Sequence, residues 1–196
     1  MTFIETIDEK EATGPAAALY EEDRADKGYV SNYSRLFAHR PDVYEAWSAL
    51  SGSIKTAMGL RRYELATLAA ARTLKSSYCS LAHGKVLRDK FLGTEQLVAV
   101  IDHRNTSELP PDEVAIMDFA EKVAADASSI TASDIERLRQ HGLGEADILD
   151  VALAAAARSF FSKVLDAMGV KPDPAFRELE PELQSLLTVG RPIAAS

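Results

Sequence analysis

Cysteine is almost missing from this chain: Cys79 is the single one in 196 residues. No intrachain disulfide framework is possible, so the chain suits a reducing compartment and Cys79 is not a staple. Long apolar runs are missing too. The longest, Val151 to Ala157, stops at Arg158, far short of the roughly 20 residues that a membrane span needs. The start, MTFIETIDEKEATG, has neither a basic region nor an apolar stretch and does not read as a secretory signal. A soluble, cytoplasmic protein without membrane partners is expected. Basic residues are in the minority: 22 Lys and Arg against 30 Asp and Glu give a formal charge of -8. That balance argues against a nucleic-acid backbone as the main partner. A glycine-rich phosphate loop is absent, and His39, His103 and His141 show no ligand spacing with cysteine or with one another. No metal and no cofactor are expected.

What is present is helix. The breakers Gly14-Pro15, Gly28, Pro41, Gly59, Gly93, Pro110-Pro111, Gly142, Gly144, Gly169 and Pro172 divide the chain into helix-sized intervals. The spacing predicts helices at about Pro15 to Lys27, Pro41 to Gly59 and Arg61 to Leu74. Another is expected from the Ser76-Ser77 cap to about Leu92, then Thr94 to Ile101, Pro111 to Ala127, Ser133 to Gln140 and Glu145 to Met168. No convincing period-2 strand is found. One domain over residues 1-196 is expected, with its core at about 16-170 and a proline-broken tail at 171-196 that has room for one more short helix before a loose terminus. Leu65 to Thr73 and Val151 to Ser159 are both alanine-rich, the composition of helices that approach their neighbours closely in a bundle or an oligomer interface. Arg72 and Arg158 interrupt these runs, which fits buried ion pairs or an anion site, although side chains that snorkel to the surface are the more ordinary explanation.

Ser76, Cys79 and His83 are three and four residues apart, so on a helix they share one face. If Ser76 or Ser77 is the cap, Cys79 falls in the first turn, where unpaired amides and the helix dipole stabilise a thiolate. His83 is placed to accept or relay its proton, and Glu64, at the start of the preceding helix, is a carboxylate that packing can bring to the same place. Tyr78, beside the cysteine, is expected to serve packing.

The pattern Glu64-x11-Ser76-x2-Cys79-x3-His83 resembles the signature of the alkylhydroperoxidase D and carboxymuconolactone decarboxylase superfamily, in its peroxidase-related branch, except that a serine stands where the family has its first cysteine. Gly28-Tyr29-Val30-Ser31-Asn32, Arg40-Pro41-Asp42 and Asp166-Ala167-Met168-Gly169-Val170 also resemble the wider family, over roughly Ala16 to Val170. The resemblance implies an all-α, AhpD-like helical bundle that forms homo-oligomers. It further implies a thiol-dependent alkyl hydroperoxide reductase, an antioxidant peroxidase with Cys79 as the attacking thiol and Glu64 and His83 as its proton relay. Ser76 holds the resolving position and cannot form a disulfide, so turnover requires an external thiol reductant. Two other readings stand beside this one: a lyase like carboxymuconolactone decarboxylase, and a non-catalytic oligomeric scaffold.

Overall fold

The computed structural model describes residues 2-102 and 108-195, and the expectation for His103 lies outside them. Among the described residues there are helices and no strands. In chain order they are α1 (Gly14–Lys27), α2 (Asn32–Phe37), α3 (Pro41–Met58), α4 (Leu60–Thr73), α5 (Ser77–Leu87), α6 (Gly93–Asp102), α7 (Pro111–Asp126), α8 (Ala132–Gln140), α9 (Glu145–Ala167) and α10 (Pro181–Leu187). Proline stands in the first turn of α1, α3, α7 and α10, where its missing N–H costs no helical hydrogen bond. Gly28 ends α1 in the left-handed region at φ 82° and donates its N–H to the Arg24 carbonyl, a closure that favours glycine. The helix expected to run to Leu92 is α-helical only as far as Leu87, and a π turn, Arg88–Leu92, completes it.

The centre of the bundle is α4, packed against α5, α7 and α9. Every residue from Tyr63 to Ala71 is buried, which the alanines permit by letting neighbouring helices come close. The same helix therefore brings Tyr63 and Glu64 inside, where each needs a polar partner. No helix among the described residues is long and apolar enough to cross a membrane.

The short helix expected in the tail is α10, and it packs on the core. Leu183 and Leu187 are fully buried, which contributes about 1.5–3 kcal/mol each. The Leu187 side chain fills the space that Gly84 of α5 leaves open, since a Cβ there would lie 2.6 Å from Leu187 Cδ1. Further along, Ala194 donates its N–H to the Pro172 carbonyl at 2.9 Å. Apolar residues spaced three or four apart in this stretch outweigh its prolines.

Candidate functional site

The turn between α4 and α5 sets the position of the cysteine. Lys75 takes φ 56°, Ser76 is the extended residue before the helix, and Ser80 donates its N–H to the Ser76 carbonyl at 2.9 Å. Cys79 is thus the third residue of α5, in its first turn as expected, and is 1% exposed. The capping chemistry differs from expectation. Neither serine caps with its side chain: the Ser77 hydroxyl accepts from the Gly190 N–H at 2.7 Å, and the buried Ser76 hydroxyl makes no close hydrogen bond. Gly190 presses so tightly on the turn that a Cβ there would lie 2.0 Å from the Lys75 carbonyl oxygen. The C-terminal segment therefore braces the turn that aims Cys79.

Glu64 and His83 meet across α4 and α5, with 2.5 Å between the carboxylate Oε2 and the ring Nδ1. Burial lowers the His83 pKa from its ordinary value, and Arg158 adds to the shift; Glu64 opposes it without cancelling it. The ring is then neutral at neutral pH. With Nδ1–H donating to the carboxylate, Nε2 is left as an acceptor.

Arg158 is the functional residue that sequence reasoning left without a role, and it does not snorkel. It is 4% exposed, with Nη1 3.5 Å from Cys79 Sγ and Nη2 3.5 Å from the Tyr63 hydroxyl oxygen. Its guanidinium lies 5.6 Å from the ring centroids of both Trp47 and Phe161, and its Nε is buried without a partner. Burial works against the charged form, but Cys79 and Tyr63 outweigh it and hold the pKa of Arg158 above its ordinary value. Tyr63 in turn shares a 2.6 Å hydrogen bond with the Ser51 hydroxyl. The one available signal was an arginine inside the apolar run VALAAAARSFF.

Cys79, His83 and Arg158 open on one cavity of about 150 Å³, walled by Tyr33, Trp47, Tyr78 and Phe161. Trp47 and Phe161 stack at 4.0 Å between centroids. Tyr33 receives a hydrogen bond from Lys27 Nζ at 2.6 Å, and burial pushes its hydroxyl pKa up to about 12. Tyr78 both packs and lines the cavity, and its hydroxyl donates to the Asp173 carboxylate. A cavity of this size accommodates roughly one benzene-sized ring. A larger cleft of about 560 Å³ beside Phe3, Arg35 and Lys171 has no cysteine or histidine in its walls. The smaller cavity is the one that holds reactive groups.

Of the residues expected at the site, Cys79 and His83 are brought together directly, and Glu64 joins them through His83. Ser76 does not line the cavity. Burial raises the carboxyl pKa of Asp166 on α9, and the neighbouring Ser76 works in the opposite direction without outweighing it. Asp166 is about two helical turns beyond Arg158.

Residues 41–122 match the model of the carboxymuconolactone decarboxylase family, a span that contains Glu64, Cys79 and His83 but not Arg158. No curated protein matches the chain in sequence. Among solved structures, an alkylhydroperoxidase AhpD core, a peroxidase-related protein from Ralstonia eutropha JMP134, is similar with a TM-score of 0.79 and 24% identity over 89% of this chain and 94% of that one. A peroxidase-related protein from Silicibacter sp. TM1040 gives 0.76 and 20% identity over 88% and 94%. The debrominase Bmp8, in a cysteine-to-alanine variant bound to 2,3,4-tribromopyrrole, gives 0.75 and 15% identity over 95% and 98%. These structures share the helical fold.

Proposed function

We propose that this chain, whose residues 41–122 match the carboxymuconolactone decarboxylase family and whose fold is shared with AhpD-like peroxidase-related proteins, is a thiol-dependent reductase of small organic hydroperoxides, acting through Cys79. The observation that carries this reading is the sharing of one aromatic cavity by Cys79 and a neutral His83 whose Nδ1 is tied to Glu64. The Cys79 thiolate attacks the distal oxygen of the hydroperoxide while His83 Nε2 takes the proton from that oxygen. The O–O bond breaks, the sulfur is oxidised to a sulfenate, and the leaving alkoxide takes that proton from His83 to depart as an alcohol. Two equivalents of an external thiol then restore Cys79, giving their own disulfide and water. The aromatic walls favour a compact organic group on the peroxide over hydrogen peroxide alone.

The test is intact-mass measurement after one equivalent of a small organic hydroperoxide. The expected result is a gain of one oxygen at Cys79, one equivalent of alcohol, reversal by added thiol, and none of these in Cys79→Ala. A cysteine that alkylates readily yet never gains oxygen overturns the reading in favour of the lyase or the scaffold.

The homo-oligomer is proposed on the same footing. Leu149, Leu153 and Phe160 are exposed along one face of α9, with Leu50 exposed on the neighbouring α3, a surface suited to a second copy of this chain. Light scattering at the mass of a 21.3 kDa monomer refutes it.

A further inference from the structure

We infer that Arg158 is a catalytic residue of this site: its buried guanidinium is the counter-ion that holds Cys79 as a thiolate. The inference rests on Cys79 being the reactive thiol, but not on a hydroperoxide being its substrate. An arginine cannot shed its proton inside a protein, so burying one demands compensating negative charge. Arg158 forms no ion pair with a carboxylate among the described residues. Glu64, the buried acid of α4 nearest the cavity, is committed to His83 at 2.5 Å. The Tyr63 hydroxyl is engaged with Ser51 at 2.6 Å. Trp47 and Phe161 offer only their ring faces. Cys79, 3.5 Å from Nη1, is the one remaining neighbour that readily supplies a full negative charge.

The arrangement is directional. Nη2 rests on Tyr63 and Nη1 on the sulfur, each at 3.5 Å, so the planar fork is held in a pose that a smaller cation does not reproduce in full. Tyr63 and Ser51 are positioning residues in this scheme.

The groups that face Cys79 are Arg158 from α9, Tyr63 from α4 through Arg158, Glu64 from α4 through His83, Tyr33 from α2, and His83 and Tyr78 from its own helix. Lys55 of α3 acts on His83, and Asp173 takes the Tyr78 hydroxyl. Because His83 shares the cavity with Cys79, its contribution is separated with His83→Ala.

The experiment follows the ultraviolet absorbance of the thiolate, as the difference between wild type and Cys79→Ala, together with the rate of iodoacetamide alkylation from acid to alkaline pH. No hydroperoxide is present, so failure of the peroxidase reading leaves this result intact. Wild type is expected to show the thiolate band at neutral pH. Arg158→Met, and Arg158→Gln as a second uncharged variant, lose it and alkylate roughly tenfold more slowly at neutral pH, with the profile displaced to higher pH. Arg158→Lys, which keeps the charge, recovers a large part of the rate. A wild-type protein without the band at neutral pH overturns the proposal, whatever the variants do. So does a folded Arg158→Met or Arg158→Gln whose alkylation profile superimposes on that of wild type.

Discussion

The carboxylate of Glu64 grips Nδ1 of His83 at 2.5 Å across two helices, fixing which ring nitrogen faces the cavity. Local sequence spacing alone does not produce this contact: the residues are 19 positions apart and meet because the turn at Lys75 and Ser76 folds α5 back along α4. The pair is also why a buried carboxylate is tolerated on the alanine-rich α4, since its charge is met by a charge-assisted hydrogen bond.

Loss of the base is expected to be more damaging than loss of its orienting acid. His83→Ala should slow oxidation of Cys79 at neutral pH by on the order of 100-fold. Glu64→Gln should cost less, because the amide carbonyl still accepts from Nδ1–H and keeps the tautomer while removing the charge. Stopped-flow single-turnover oxidation checks both. Equal losses would mean that the carboxylate charge, and not the tautomer, is what His83 requires.

The lowered pKa of His83, caused first by burial and then by Arg158, has a consequence for stability. In the unfolded chain the ring takes up a proton as pH falls below about 6.5, whereas the folded ring resists until lower pH. Between those limits the unfolded state binds more protons, so stability falls as pH falls; above the unfolded value His83 contributes no slope. Denaturant midpoints through this window should decline less in His83→Phe than in wild type. Parallel declines would show that other groups set the acid limb.

Gly84 is predicted to be intolerant of even one methyl group. Its missing Cβ is replaced by the Leu187 side chain, whose two methyl carbons lie 2.6 and 2.8 Å from where that Cβ would be. Gly84→Ala should cost about 1–3 kcal/mol by overpacking, with a melting midpoint lowered by about 2–4 °C for each kcal/mol. Gly84→Ala with Leu187→Ala should recover part of the loss, because the second change removes the clashing carbons. Calorimetry of the two variants decides it.

These features differ in how well sequence announces them. Helix ends were readable because Gly28 and Gly59 carry positive φ and because proline stands in the first turn of four helices, both local effects of backbone sterics. Cys79 and His83 were readable for the same reason, since i and i+4 on a helix share a face. Arg158 was not, because snorkelling and burial begin from the same sequence, and only the packing of α3, α4 and α9 closes its route to water. How tightly the tail packs was not readable for a related reason: its prolines and its short helix are visible locally, whereas the hollow at Gly84 that receives Leu187 is formed by residues about 100 positions earlier.

Serine at position 76 gives the sharpest test of what the site retains. One thiol per chain means that an oxidised Cys79 is resolved only from outside the chain, and Ser76→Cys supplies an internal thiol three residues away. Residues so spaced at a helix start approach the Cα separation that a disulfide needs. The Ser76 side chain lies outside the cavity lining, so a cysteine there must rotate about χ1 to reach the Cys79 sulfur. Ser76→Cys treated with one equivalent of hydroperoxide should lose two hydrogens by intact mass in place of gaining an oxygen. Its dithiol-coupled turnover should rise several-fold over wild type, and both effects should vanish when Cys79→Ala is added. A Ser76→Cys protein that keeps a stable sulfenic acid at Cys79 would show that the side chain at 76 stays away from the Cys79 sulfur, so that a cysteine at this position does not restore the resolving step.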